Sequence, residues 1–135
     1  MLRSGCDNYG CGTAYSVTTT GTEQVIHRFT GGDGRAPAAG LIDVNGTLYG
    51  TTVAGGGSSC VALLGLEFQG CGIIYSLSTT GAENVLFRFK GKGDGEPAAS
   101  LLNVGNVLYG TTQRTSNREC RDHSFTCGTA FAFTL

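Results

Sequence analysis

A duplication governs what this chain can fold into. The segment Cys11-Gly12-Thr13-Ala14-Tyr15-Ser16-Val17 returns 60 residues later as Cys71-Gly72-Ile73-Ile74-Tyr75-Ser76-Leu77, and 56 residues after that as Cys127-Gly128-Thr129-Ala130-Phe131-Ala132-Phe133. Residues 11–52 lie over 71–112 without a gap, with 22 identities in 42 positions, far more than shared composition produces. The fold must therefore be built from a unit of roughly sixty residues used twice and begun a third time. A period of that order points to arrays and propellers. The units run over about 11–70, 71–126 and 127–135 within one all-β domain, 1–135.

Each unit reads as four short strands. The 23 glycines and many threonines leave few stretches able to hold a helix, since glycine and β-branched residues both disfavour helix interiors. Gly12 to Val17 is the first strand. Thr18-Thr19-Thr20-Gly21-Thr22 then turns the chain into Gln24 to Phe29, with Val25, His27 and Phe29 on one face. A loop containing Asp33-Gly34-Arg35-Ala36-Pro37 leads to Gly40 to Val44, and Asn45-Gly46, a strong hairpin signal, leads into Thr47 to Thr52. The second copy places Gly105-Asn106 at that turn, which also tolerates positive φ. Two solutions to one turn mean that the hairpin geometry itself is required.

The expected fold class is all-β: antiparallel four-stranded repeats like the blades of a β-propeller, two blades plus part of a third. A β-sandwich is the alternative, because regular strand spacing serves both. Nine strands are expected. With the blade cut from Gly40 through Phe89, they give the last two strands of one blade, a complete blade and three strands of another, Thr129 to Leu135 being surplus. Two blades cannot close on themselves and would leave edges open. A cyclic homo-oligomer is therefore expected, a trimer closing six blades ahead of a dimer closing four.

Nine basic and ten acidic residues leave a net charge of -1 with no basic run, so nucleic acid is not an expected partner. No apolar stretch approaches the roughly 20 residues that span a bilayer, and Met1 to Cys6 lacks the apolar run of a signal peptide. The chain as given is expected to be soluble, with no membrane span.

The six cysteines are the most specific chemical signal. They fall as Cys6 and Cys11, Cys60 and Cys71, Cys120 and Cys127, one pair ahead of the first strand of each unit, around a loop that changes length and sequence. A staple at the base of a variable loop gives that pattern, and closing a short loop restricts the unfolded chain by about 2 to 3 kcal/mol in the entropy model. Six cysteines allow fifteen connectivities, and only the repeat selects three local disulfides. Buried free thiols are the alternative. Cys120, His123 and Cys127 together suggest zinc, but the other two loops keep their cysteines without a histidine, and no fourth ligand is evident. No metal or cofactor is expected.

The remaining candidates read as structural. His27 stands where Phe87 stands in the second copy, so the position is a partly apolar packing site and not that of a general base. Glu23 with Arg28, and Glu83 with Arg88, repeat and suggest a cross-strand ion pair worth well under ~1 kcal/mol. The loops at 31–34 and 91–95 each carry one carboxylate where a calcium loop needs several, and neither opens a helix that could hold phosphate. Tyr49 and Tyr109, each before Gly-Thr-Thr, could form a ligand platform for sugar stacking, although sheet packing accounts for them as well. No Ser, His and Asp set and no repeated pair of carboxylates marks a catalytic centre.

The unit resembles the bacterial tandem repeat known as GloVer. The similarity runs from Cys-Gly-Thr-Ala-Tyr-Ser-Val through Gly21, Val25, Phe29, the Gly-Asp-Gly turn and Pro37 to Leu48-Tyr49-Gly50-Thr51-Thr52, twice over nearly the whole chain. The resemblance implies a propeller-like array in secreted or surface-attached proteins. It therefore implies an extracellular or periplasmic location, compatible with disulfides, and no enzyme activity. The function expected is a non-enzymatic structural or interaction module that contacts a protein partner through its variable, stapled loops. A lectin-like carbohydrate-binding module is the alternative.

Overall fold

A computed structural model describes residues 6, 10–57, 59–61, 67–91, 95–113 and 127–135. The described residues contain eleven strands and no helix. They are β1 (Thr13–Val17), β2 (Glu23–Arg28), β3 (Ile42–Val44), β4 (Thr47–Thr52), β5 (Ser59–Val61), β6 (Glu67–Gln69), β7 (Ile73–Leu77), β8 (Glu83–Arg88), β9 (Leu102–Val104), β10 (Val107–Thr112) and β11 (Thr129–Thr134). All pairings between these strands are antiparallel, and the sheets run β1-β2, β3-β4-β7-β8 and β9-β10-β11, with β5-β6 a separate hairpin. None closes into a barrel.

The expected cut from Gly40 through Phe89 encloses the one complete sheet. The strand count and the pairing of the last strand differ from expectation. Nine strands become eleven because the loop between Val53 and Cys71 carries β5 and β6, which its lack of a repeated counterpart concealed. The strand expected to be surplus, β11, pairs along β10 in its own chain from Thr129↔Thr112 to Thr134↔Val107. It takes beside β10 the place that β7 takes beside β4.

Local chemistry explains the repeated hairpins. In the β1–β2 turn the Thr22 amide donates to Thr18 Oγ1 at 3.0 Å, and in the β7–β8 turn the Ala82 amide donates to Ser78 Oγ at 2.9 Å. Asn45 and Gly46 both have positive φ, as do Gly105 and Asn106, the geometry of a two-residue hairpin turn that follows the sheet twist. Both copies also carry a bulge. Ala14 pairs with His27 and Tyr15 with Val25, leaving Ile26 as the extra residue, and Leu86 is its counterpart. The bulge breaks the strict alternation expected of Val25, His27 and Phe29 and brings Ile26 to the core beside Phe29.

The central sheet is covered on both faces, and β7 is buried along its whole length. One face sets Ile73, Tyr75 and Leu77 against Cys11, Ala14 and Phe29 of the first sheet. The other sets Val44, Ile74 and Phe89 against Leu101 and Leu108 of the last sheet, with Phe131 and Phe133. Fully burying each large apolar side chain contributes roughly 1.5–3 kcal/mol, so these two interfaces fix the order of the three sheets. No helix among the described residues is long and apolar enough to cross a membrane.

Candidate functional site

Two kinds of feature stand out once the sheets are stacked: open faces at the two ends, and one cluster of titratable groups between the first and central sheets.

The open faces are read against the two interfaces that are closed. Both closed interfaces use the same positions, Leu48, Tyr75 and Leu77 on one side in the first instance and Leu108, Phe131 and Phe133 in the second. On the first sheet the equivalent residues are exposed: Tyr15 is 57% exposed where Tyr75 is 1%, and Val17 is 56% exposed where Leu77 is 0%. At the other end Leu102, Val104 and Tyr109 are exposed, whereas Ile42, Val44 and Tyr49, their counterparts in the central sheet, lie in or against the core. The described residues thus present two exposed apolar faces, and the interior shows each kind of face packed against the other kind. Beside Tyr15 runs a cleft of about 430 Å³, lined by Ala14, Tyr15, Pro37, Gly40, Leu41 and Tyr75.

The two candidate platform tyrosines differ accordingly. Tyr49 packs on the core with Ser76 across the ladder, and Tyr109 is exposed on the open last face. The Cys6–Cys11 disulfide is formed, with its Cα atoms 5.0 Å apart. Cys71 and Cys127 are disulfide-bonded as well. Their expected partners fall elsewhere: the Cys60 side chain and Cys120 lie outside the described residues, as does His123 of the zinc alternative.

The titratable cluster comprises His27 on β2, Asp33 in the turn that follows, and Glu83 at the start of β8. His27 keeps its packing role, edge-on to Phe29 with ring centroids 4.8 Å apart, as Phe87 is to Phe89 at 5.0 Å. It also donates from Nε2 to Asp33 Oδ2 at 3.1 Å, a contact that phenylalanine cannot make. The other Asp33 oxygen, Oδ1, accepts from the Thr30 amide at 2.7 Å and the Thr30 hydroxyl at 2.9 Å. Burial works against the Asp33 carboxylate, but the Thr30 bonds, its own amide and His27 together hold its pKa below the ordinary value. Glu83 is the reverse case. Burial first, and then the Asp33 charge, push its carboxyl up despite His27 and Arg88. Burial likewise holds the Tyr75 phenol at about 12, with the Glu83 charge adding to it, so Tyr75 stays protonated at neutral pH.

The expected pairing of glutamate with arginine does not occur in either copy. Glu23 and Arg28, like Glu83 and Arg88, sit at opposite ends of one strand, and across the ladder Glu83 meets Leu77 while Arg88 meets Ile73. The Arg88 guanidinium instead donates from Nη1 to the carbonyls of Gly32 and Gly56, both at 2.7 Å, tying the 31–34 turn to the loop after β4. His27 and Asp33, 3.1 Å apart, form an ion pair when the imidazole is protonated. The 31–34 loop itself carries one carboxylate; Glu83 is fifty residues away and reaches it because the β7–β8 turn sits on β2, with Gly81 against the Ile26 carbonyl.

Comparison of the chain with protein-family models, curated proteins and solved structures returns no match.

Proposed function

We propose that this chain is a non-enzymatic structural and interaction module, a propeller-like repeat of the GloVer type. It stacks with copies of itself head to tail and presents its disulfide-closed loops to a protein partner outside the cytoplasm. The carrying observation is the exposure of Tyr15 and Val17 where Tyr75 and Leu77 are buried. A face of that composition, left open, is an aggregation liability unless a specific surface covers it. The surface that covers it inside the chain has an open counterpart at Leu102, Val104 and Tyr109. Such an interface is heterologous, and it generates a ring where the rotation closes. With β11 paired to β10 each chain brings three sheets, so two copies bring six. The disulfide at Cys6–Cys11 fits an oxidising compartment, and loops on a rigid repeat are where recognition concentrates.

A complementation experiment tests the stacking. Tyr15→Asp blocks the first face and Leu102→Asp the last, so each variant alone loses the closed assembly. Mixed, they form a one-to-one complex through the faces still intact. Wild-type assembly by either variant alone, or no complex on mixing, contradicts the proposal. On a glycan array, competable binding to one sugar class would replace the protein-partner reading with the lectin-like one.

A further inference from the structure

The geometry points to a divalent-cation site formed by His27 Nε2, Asp33 and Glu83, bridging the first and central sheets. This inference is independent of assembly. The three residues each offer a ligand atom, and these atoms all lie within 4.8 Å of one another. His27 Nε2 and Asp33 Oδ2 are already 3.1 Å apart, close to the roughly 3.3 Å that separates two ligands on a tetrahedral ion with bonds near 2.0–2.1 Å. The third ligand closes the gap by turning a glutamate side chain with three rotatable bonds.

Two observations distinguish the cluster from an ordinary ion pair. First, Glu83 Oε1 is fully buried and has no hydrogen-bond partner among the described residues. A buried carboxylate oxygen left without a donor is costly, and a cation is the partner it lacks. Second, the supporting contacts are those of a ligand set. Thr30 holds Asp33 Oδ1 with two donors, which leaves Oδ2 to face the ion, as outer hydrogen bonds fix metal-binding carboxylates. With His27 neutral the cluster carries two negative charges. Arg88, whose charge acts on Glu83, directs its Nη1 to the Gly32 and Gly56 carbonyls and makes no ion pair with the cluster.

One imidazole and two carboxylates suit a first-row divalent ion such as zinc, with water in the open position. Binding uses the Nε2 lone pair, so the neutral imidazole carries its single proton on Nδ1 in the bound state, the opposite tautomer to the one that donates to Asp33. In the second copy Phe87 replaces the histidine, so the site occurs once. An ion held there would join a turn of the first sheet to a strand of the central one.

The test is calorimetric titration of zinc into the oxidised, chelator-treated protein at neutral pH, beside the variants His27→Phe and Glu83→Gln. His27→Phe installs the residue that the second copy uses at this position, and Glu83→Gln keeps the shape. The expected result is one zinc per chain, with affinity reduced about 10-fold or more in each variant, while the circular dichroism of both variants without zinc matches the parent. Proton NMR gives a second readout, because the chain has only two histidines. Zinc should move the His27 imidazole signals. Absence of saturable binding, binding undiminished in both variants, or zinc that moves only His123 would overturn the assignment.

Discussion

Gly50 lies directly across the β4–β7 ladder from Tyr75, so close that a Cβ on the glycine would stand 2.6 Å from the phenolic oxygen. Gly110 and Phe131 repeat the arrangement in the last sheet. An aromatic ring laid over a glycine covers backbone that would otherwise be bare, and it lets β4 and β7 bury a large side chain within the ladder itself. Tyr15 is the third member of the series, and among the described residues β1 pairs only with β2, so no glycine lies across the ladder from it.

Gly50→Ala is therefore expected to destabilise the fold by about 1–3 kcal/mol, the usual cost of overpacking a filled core. Gly32→Ala, where a Cβ meets nothing within 4 Å, is the control and should be near neutral. Urea denaturation compares the two. Equal stabilities would show that the Gly50–Tyr75 contact yields without cost.

Much of this was legible in the sequence, and the parts that were not share a cause. The Asn45-Gly46 and Gly105-Asn106 turns and the sheet from Gly40 through Phe89 follow from local chemistry applied at a known period. Interchange of His27 and Phe87 marked a packing site, which holds. The bulge at Ile26 and the β5–β6 hairpin were hidden, since neither turns on a residue type with a strong positional preference. Repetition of Glu83 with Arg88 suggests a cross-strand pair, but both residues lie on β8. Their actual neighbours come from sheet stacking, which puts Glu83 beside Asp33 and Arg88 beside the Gly32 and Gly56 carbonyls.

Glu83→Gln in metal-free protein should raise the thermal midpoint at neutral pH. The carboxyl pKa is raised in the fold, so Glu83 supports the fold when protonated, below its ordinary value of 4.5, and loses that contribution as pH rises through the folded value. The gain from the amide should accordingly disappear as pH falls below the ordinary value. Asp33→Asn runs the other way. Its pKa is lowered, so its support is present above the ordinary value of 3.8 and is lost as pH falls through the folded one. Scanning calorimetry across the acid range separates the two. Parallel pH profiles for both variants would contradict the opposed electrostatics.

Alkylation of the native protein without reductant should leave all six thiols protected, and peptide mapping should place bridges at Cys6–Cys11, Cys60–Cys71 and Cys120–Cys127. Six alkylated thiols would remove the disulfides, and a bridge between loops would remove the local pairing. Opening the Cys6–Cys11 loop should cost about 2 kcal/mol in the entropy model.

Head-to-tail stacking is tested most directly by light scattering coupled to size-exclusion chromatography on the intact, oxidised chain. The expected result is a monodisperse particle at two or three times the 13.9 kDa chain mass. Two copies are expected where β11 stays on β10. A monodisperse species at 13.9 kDa, unchanged as the concentration is raised, would contradict it.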